Sequence, residues 1–251
     1  MIRVVFNQKG GVGKSSIAVN LAAQAASEGK RVLLVDLDVQ GNASHYLLDQ
    51  VAEPTLYDFF ESTLAFRLQP PTLATVVQPS KVSGLDVAAA HAELGNLQAK
   101  LEAKHKIYKL REALAAVRRD YDHILIDTPP ALNFYSLSAL VAADRCLIPF
   151  DCDEFARQGL YTLLDNLHEV RADHNPDLQV EGIVVNQYQP RAALPQRLVA
   201  ELEQEGLPVC QIKLPASVIM RESHQRRLPL LQFAPKHKLT QAFADLWREL
   251  G

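Results

Sequence analysis

Apolar positions along this 251-residue chain fall into short unbroken runs separated by helical patterns. The runs lie at residues 2–6, 31–36, 85–89, 121–127, 144–150, 180–186 and 209–214, and each predicts a strand. The run at 31–36 has no polar alternation, which is how a parallel strand covered on both faces reads. Residues 15–28 form an alanine-rich helical pattern closed by Gly29, a glycine where a helix usually ends. Residues 93–119 repeat apolar side chains at Leu94, Leu97 and Leu101, then at Leu110, Leu114 and Val117, with a break near His105. Further helices are predicted at 155–172, 194–206 and 239–250. Residues 43–82 are less regular: a helix start with Thr55 as its cap, a break at Pro70 and Pro71, and a short edge strand at 76–82. Residues 218–228 read only as a charge-rich stretch. Strand–helix–strand order implies right-handed crossovers. The expected fold class is therefore α/β, a mostly parallel twisted sheet with helices on both faces, in one domain spanning 1–251.

Composition changes this picture little. A hydrophobic fraction of 48% supports a full core. The formal charge of −3 gives no global sign of nucleic-acid binding, so any such surface must be a local patch. The three cysteines, Cys146, Cys152 and Cys210, show no metal spacing and read as free thiols in a reducing cytoplasm. No apolar run approaches the ~20 residues of a membrane-spanning helix. The chain passes directly into its first strand, so neither a signal peptide nor a separate DNA-reading extension is expected.

The chemistry begins where the first strand ends, at Asn7-Gln8-Lys9-Gly10-Gly11-Val12-Gly13-Lys14-Ser15-Ser16. Glycines between a strand and a helix N-terminus let backbone N–H groups converge on an anion. Lys14 suits the β- and γ-phosphates of a nucleoside triphosphate, and the Ser15 hydroxyl suits Mg²⁺. The common phosphate-loop pattern has glycine at position 8; this chain has Gln8, followed by a second lysine, Lys9. From spacing alone Lys9 is either solvated or directed at a nucleotide held by a second subunit. Asp36 and Asp38 sit two apart at a strand end. Asp36 reads as a phosphate-site acid, a turn cap or a lysine partner. Asp38 reads as the residue that orients an attacking water, close to the metal. Asp127 closes the strand before Pro129 and Pro130, and a carboxylate there fits a Mg²⁺-water shell.

These motifs resemble those of the ParA/MinD family of partitioning and positioning ATPases. Lys9 to Ser15 looks like that family's deviant Walker A motif. Residues 36–42 resemble its next motif, with Val39 where proline is usual. Residues 126–130 match its Walker B region, and 214–222 are similar to the segment that closes over the base, with Ala216 in place of arginine. The resemblance covers nearly the whole chain. It implies a three-layer P-loop NTPase fold, ATP and Mg²⁺ as cofactors, and an ATP-sandwich homodimer. In it Lys9 crosses between subunits, Gly10 lies at the close approach, and Asp38 serves hydrolysis. The nucleotide set is then Lys9, Gly10, Gly11, Val12, Gly13, Lys14, Ser15 and Ser16, with adenine contacts at Asn186, Pro215 and Ser217. The metal set is Ser15, Asp38 and Asp127.

Within that family, the resemblance favours a ParA-like, cytoplasmic, nucleoid-associated protein. It would bind DNA nonspecifically through Arg221, Arg226 and Arg227, or expose these as a merely solvated face. A ParB-like or other adaptor would stimulate hydrolysis and connect a chromosome, plasmid or protein-cluster cargo. A MinD-like membrane-associated ATPase is the alternative, disfavoured because the 239–250 helix is not basic and reads as ordinary core. Cluster cysteines of the nitrogenase-reductase type are lacking. A metabolic ATP-dependent enzyme on the same scaffold is the third reading.

Overall fold

The computed structural model describes residues 1–153 and 156–251. Strands β1 (Ile2–Val5), β2 (Val32–Asp36), β3 (Val77–Pro79), β4 (Leu85–Ala88), β5 (His123–Asp127), β6 (Arg145–Asp151) and β7 (Gln179–Asn186) form one sheet in the order β3-β4-β2-β5-β1-β6-β7. Every neighbouring pair is parallel except β3–β4. The helices are α1 (Lys14–Ser27), α2 (Asn42–Leu47), α3 (Leu56–Ser62), α4 (Leu73–Val76), α5 (Leu94–Ala103), α6 (Lys109–Val117) and α7 (Phe134–Ala142), followed by α8 (Ala156–Asp173), α9 (Ala193–Gln204), α10 (Val218–Arg226), α11 (Leu230–Phe233) and α12 (Lys238–Leu250).

Alternate side chains of each strand feed opposite cores, because successive Cβ atoms leave opposite faces of the pleat. Leu33, Val35, Ile124 and Ile126 join the core under α3 to α9. Val32, Leu34 and Leu125 join the core under α1, α2, α11 and α12. Three layers result, with both sheet faces dry. In register, Val5, Asp127 and Asp36 end their strands side by side, and the loops that follow β1, β2 and β5 therefore open at one edge of the sheet.

Several predicted elements are borne out. Thr55 and Asp58 form a reciprocal capping box at α3, and the 93–119 pattern does break at His105, whose φ is 51°. On α12, Leu239, Phe243 and Leu246 are buried, with Leu250 partly so, and Trp247 adds to the stripe. The start of the 155–172 helix at Phe155 lies outside the described residues; α8 begins at Ala156.

Other expectations need correction. The edge strand is shorter than 76–82. Residues 209–214 are not a strand. They follow β7 through isolated bridges, at Ile183–Val209 and Tyr188–Pro215, and through the Leu214 N–H, which donates to the Val185 carbonyl at 2.9 Å. At residues 211 and 212 the N–H groups donate instead to the Glu249 carboxylate, at 2.6 and 2.9 Å. Residues 218–228, with no element assigned, are mostly α10; its charges hid a helix capped by Ser217, whose Oγ accepts from Ile219 N. Helices α2 and α7 carried no prediction. The first is only six residues long, and the second, mean hydropathy being high on all sides, has no polar face to give a period.

Candidate nucleotide site

The loop between β1 and α1 is shaped by two left-handed glycines, Gly11 at φ 77° and Gly13 at φ 93°. A side chain at Gly13 would force Asn186 to move, since a Cβ would lie 2.3 Å from Asn186 Nδ2. That amide donates to the Val12 carbonyl at 2.9 Å, so β7 clamps the loop from below. At the loop's entrance Asn7 donates to the Pro149 carbonyl and accepts from Lys9 N–H, tying the turn to β6.

The two lysines of the loop differ in environment. Lys14 is 7% exposed, and its Nζ donates to the Lys9 carbonyl at 2.9 Å. Burial pushes its pKa down, while Asp127 and Asp38 oppose that shift. The Lys9 side chain is 45% exposed and ion-paired with Asp153, itself 43% exposed. Gly10, beside it, is exposed as well.

Three aspartates face the loop from the ends of β2 and β5. Asp36 is fully buried; its Oδ2 accepts from Ser44 N and Ser44 Oγ at 2.8 and 2.7 Å, and its Oδ1 accepts from Asp38 N. Burial raises its pKa to about 6 against those hydrogen bonds. Of the three readings of Asp36, the turn cap matches these contacts, since its carboxylate holds α2 onto β2. Asp38 is 6% exposed, and among the described residues its carboxylate accepts only from Gln40 N, at 3.0 Å. Asp127 is fully buried, with Oδ1 accepting from Thr128 N. Its Oδ2 has no hydrogen-bond partner among the described residues. Burial, then the nearby Asp36, raises its pKa well above the usual carboxylate range, while the Ser15 side chain and Lys14 pull it back. A buried carboxylate oxygen left unpaired beside a serine hydroxyl is a fitting place for a divalent cation.

Two clefts meet at this loop. One, of about 490 Å³, is lined by Gly10, Lys14, Ser15, Asp38, Pro130 and Arg227, among others. The second, of about 650 Å³, is lined by Asn186, Gln187, Pro215, Ser217 and Arg221. Gly11, Gly13, Ser16 and His224 border both. The structure thus gathers Gly10, Gly11, Gly13, Lys14, Ser15, Ser16 and Asp38 of the predicted phosphate and metal residues in the first cleft, leaves Lys9, Val12 and the buried Asp127 outside its lining, and brings the three predicted adenine residues to the second. Of the predicted DNA contacts, Arg226 lies exposed at the end of α10, whereas Arg221 and Arg227, also exposed, border the clefts. None of the three makes an ion pair among the described residues.

Residues missed from sequence include Asn7, Tyr46 and His224. His224 Nε2 lies 2.9 Å from Ser16 Oγ, and its ring meets Tyr46 edge-on at 5.1 Å. Desolvation by its neighbours lowers its pKa, although the residue is exposed. The only signal for it in the sequence is its place in the 218–228 stretch, where it passes for one more surface polar group.

A family model described as an AAA domain matches residues 1–180. The chromosome partitioning protein ParA of Caulobacter vibrioides is 34% identical over 99% of this chain and 93% of its own. The chain belongs to the ParA/Soj family. The chromosome-partitioning ATPase Soj of Thermus thermophilus is 38% identical to this ParA/Soj chain, over 97% of it and 92% of its own length. The solved structure of cobyrinic acid a,c-diamide synthase from Mycobacterium smegmatis, with bound ADP and magnesium, superposes with a TM-score of 0.83. It is 25% identical over 98% of this chain and 92% of that one. The resemblance drawn from residues 9–15, 36–42 and 126–130 and the three-layer fold are both borne out.

Proposed function

We propose that this protein is a Mg²⁺-dependent ATPase that forms an ATP-sandwich homodimer, binds DNA without sequence preference and positions a chromosome, plasmid or protein-cluster cargo. The observation that carries this reading is the division of labour between two lysines of one loop. Lys14 is turned inward and supplies the intramolecular phosphate contact. Lys9 stands at the exposed rim beside Gly10, free of that task. Its ion pair with Asp153 is surface-exposed, and such pairs contribute only about 0–1 kcal/mol. Lys9 therefore exchanges partners at little cost and reaches the phosphates of a second subunit, as a cation supplied in trans.

ATP lies across both clefts, its phosphates on residues 10–16 and its base against Asn186, Pro215 and Ser217. Mg²⁺, when bound, neutralises charge on the β- and γ-phosphates. Ser15, Asp38 and Asp127 are the side chains that would hold it. Asp38, which spends one oxygen on Gln40 N–H, retains acceptor capacity to orient a water. Arg221 and Arg226 contribute to a DNA surface completed by dimerisation. A ParB-like or other adaptor stimulates hydrolysis and releases the dimer, and the protein resides on the nucleoid.

Size-exclusion chromatography with light scattering tests the central step. Lys9→Ala should remain a monomer with ATP while still binding it; a Lys9→Ala dimer would sink the assignment. Asp38→Ala should accumulate as an ATP-bound dimer, and normal turnover by that variant would remove its hydrolytic role. Nonspecific DNA binding should require ATP and weaken with salt, log affinity falling by about 0.9 per decade for each phosphate neutralised.

The likeness to the Mycobacterium smegmatis synthase supports a second reading, an ATP-dependent small-molecule enzyme. ATP turnover that needs no small substrate and rises with DNA excludes it. The membrane-associated alternative is disfavoured by α12, whose apolar stripe is packed into the core. No helix among the described residues is long and apolar enough to cross a membrane. Co-sedimentation with liposomes against plasmid, each with ATP, separates these cases.

A further inference from the structure

The turn after α10 is held in an unusual shape. Arg227 caps the helix with φ 51° and ψ 44°, the left-handed region that non-glycine residues seldom occupy. Three contacts hold it there. Its N–H donates to the His224 carbonyl at 3.1 Å. Its own carbonyl accepts from Lys81 Nζ at 2.8 Å. Next to it, Ser223 Oγ donates to the Leu228 carbonyl at 2.8 Å and contacts the Tyr46 hydroxyl of α2. A strained residue fixed by its surroundings and bordering a functional cleft is a reason to ask what its side chain does there. Arg227 borders the cleft of Lys14, Ser15 and Asp38, and not the neighbouring one of Asn186, Pro215 and Ser217. It therefore stands on the phosphate side. Among the described residues no carboxylate pairs with its guanidinium.

We propose that Arg227 is a ligand of the nucleotide's polyphosphate, contributed by the same subunit as the phosphate loop, and is not a DNA contact. The proposal rests on reading the cleft as a nucleoside triphosphate site. A guanidinium is always charged, and its planar fork of N–H donors matches phosphate oxygens. Backbone N–H groups of residues 10–16 cradle the phosphates from the loop side, and Arg227, just past the end of α10, borders the same cleft. The left-handed turn, anchored by Lys81 and by the Tyr46–Ser223 contact, sets the direction from which the side chain enters. His224, whose Nε2 meets Ser16 Oγ, borders both clefts and so lies where the phosphates give way to the nucleoside.

Calorimetric titration of the full chain with ATP and Mg²⁺ tests this, using Arg227→Gly and Arg227→Lys. Glycine adopts φ 51° without strain, so Arg227→Gly removes the guanidinium with no penalty to the turn, and its thermal stability should equal or exceed wild type. Its ATP affinity should fall about tenfold or more, and Arg227→Lys should recover part of the loss. With ATP saturating, the salt dependence of duplex-DNA binding should be the same in Arg227→Gly and wild type. Wild-type ATP affinity in Arg227→Gly would overturn the proposal. So would a salt slope shallower by about one with ATP affinity unchanged, which returns the residue to the DNA surface. A wild-type protein that binds ATP but no DNA refutes only the DNA part of the proposed function and leaves the ATP comparison intact. One that binds no ATP refutes the nucleotide reading and this inference together.

Discussion

Gly13→Ala gives the sharpest test of the loop's construction. Two separate costs meet at that position. The residue has φ 93°, where an L side chain costs about 1–2 kcal/mol. Its Cβ would also stand 2.3 Å from Asn186 Nδ2, closer than real Cβ contacts come. The Asn186 side chain must then move, giving up its 2.9 Å bond to the Val12 carbonyl, a bond contributing about 1 kcal/mol. Residual crowding adds about 1 kcal/mol. The single substitution should thus cost about 3–4 kcal/mol, which a domain of ordinary stability survives. Asn186→Ala alone should cost about 1 kcal/mol. In that background the clash is gone and only the backbone cost remains, so Gly13→Ala should cost about 1–2 kcal/mol. The coupling between the two sites is then about 2 kcal/mol in magnitude. Guanidinium chloride unfolding of the four proteins, without nucleotide and with matched slopes, measures all of it. If Gly13→Ala costs as much in the Asn186→Ala background as in wild type, Asn186 is not what excludes a side chain at Gly13.

Three further outcomes follow from contacts around the site. Ser44→Ala should cost about 2–3 kcal/mol in denaturant unfolding, because it orphans the buried Ala90 N–H and removes one of Asp36's donors; a loss below about 0.5 kcal/mol would contradict the capping role of Asp36. His123 has its pKa lowered to about 4 by burial and then by the adjacent Arg3 guanidinium, so the unfolded chain binds the extra proton between about pH 4 and 6.5. Its contribution is complete above pH 6.5 and lost as pH falls toward 4. It amounts to about 1–2 kcal/mol after discounting for solvent screening, and His123→Asn should flatten the stability profile over that window by that amount. Glu249→Ala should speed hydrogen exchange at the Gln211 and Ile212 amides with a global cost of about 1 kcal/mol; unchanged exchange there would mean that the carboxylate is not their partner in solution.

The form of the loop was legible in the sequence because it is local. Gly11, Gly13, Lys14 and Ser15 need only their own order, between an apolar run and an alanine-rich helix, to form a glycine turn that runs into the first turn of α1. Asp38 and Asp127 were legible for a related reason, since each sits where a strand stops, and strand ends of a parallel sheet share one edge. The two-faced core was legible in runs such as 31–36, whose apolar residues do not alternate. Residues 209–214 show the opposite case. Their apolar content reads as a strand, but whether their N–H groups meet β7 or Glu249 depends on where α12 packs, some forty residues later in the chain. Likewise Asp36 and Asp38 look alike two residues apart. Only the docking of α2, which brings Ser44 onto Asp36, separates the structural carboxylate from the one left with capacity to spare. Arg227 was grouped with Arg221 and Arg226 as one basic stretch, and only the tertiary structure places it, in a left-handed turn after α10, on the border of the cleft that Lys14 and Ser15 line. What the sequence determined by itself was the set of groups whose roles follow from backbone neighbours within a few residues. What tertiary structure decided was which of those groups already have partners, because a hydrogen bond or ion pair between distant segments depends on how the layers close.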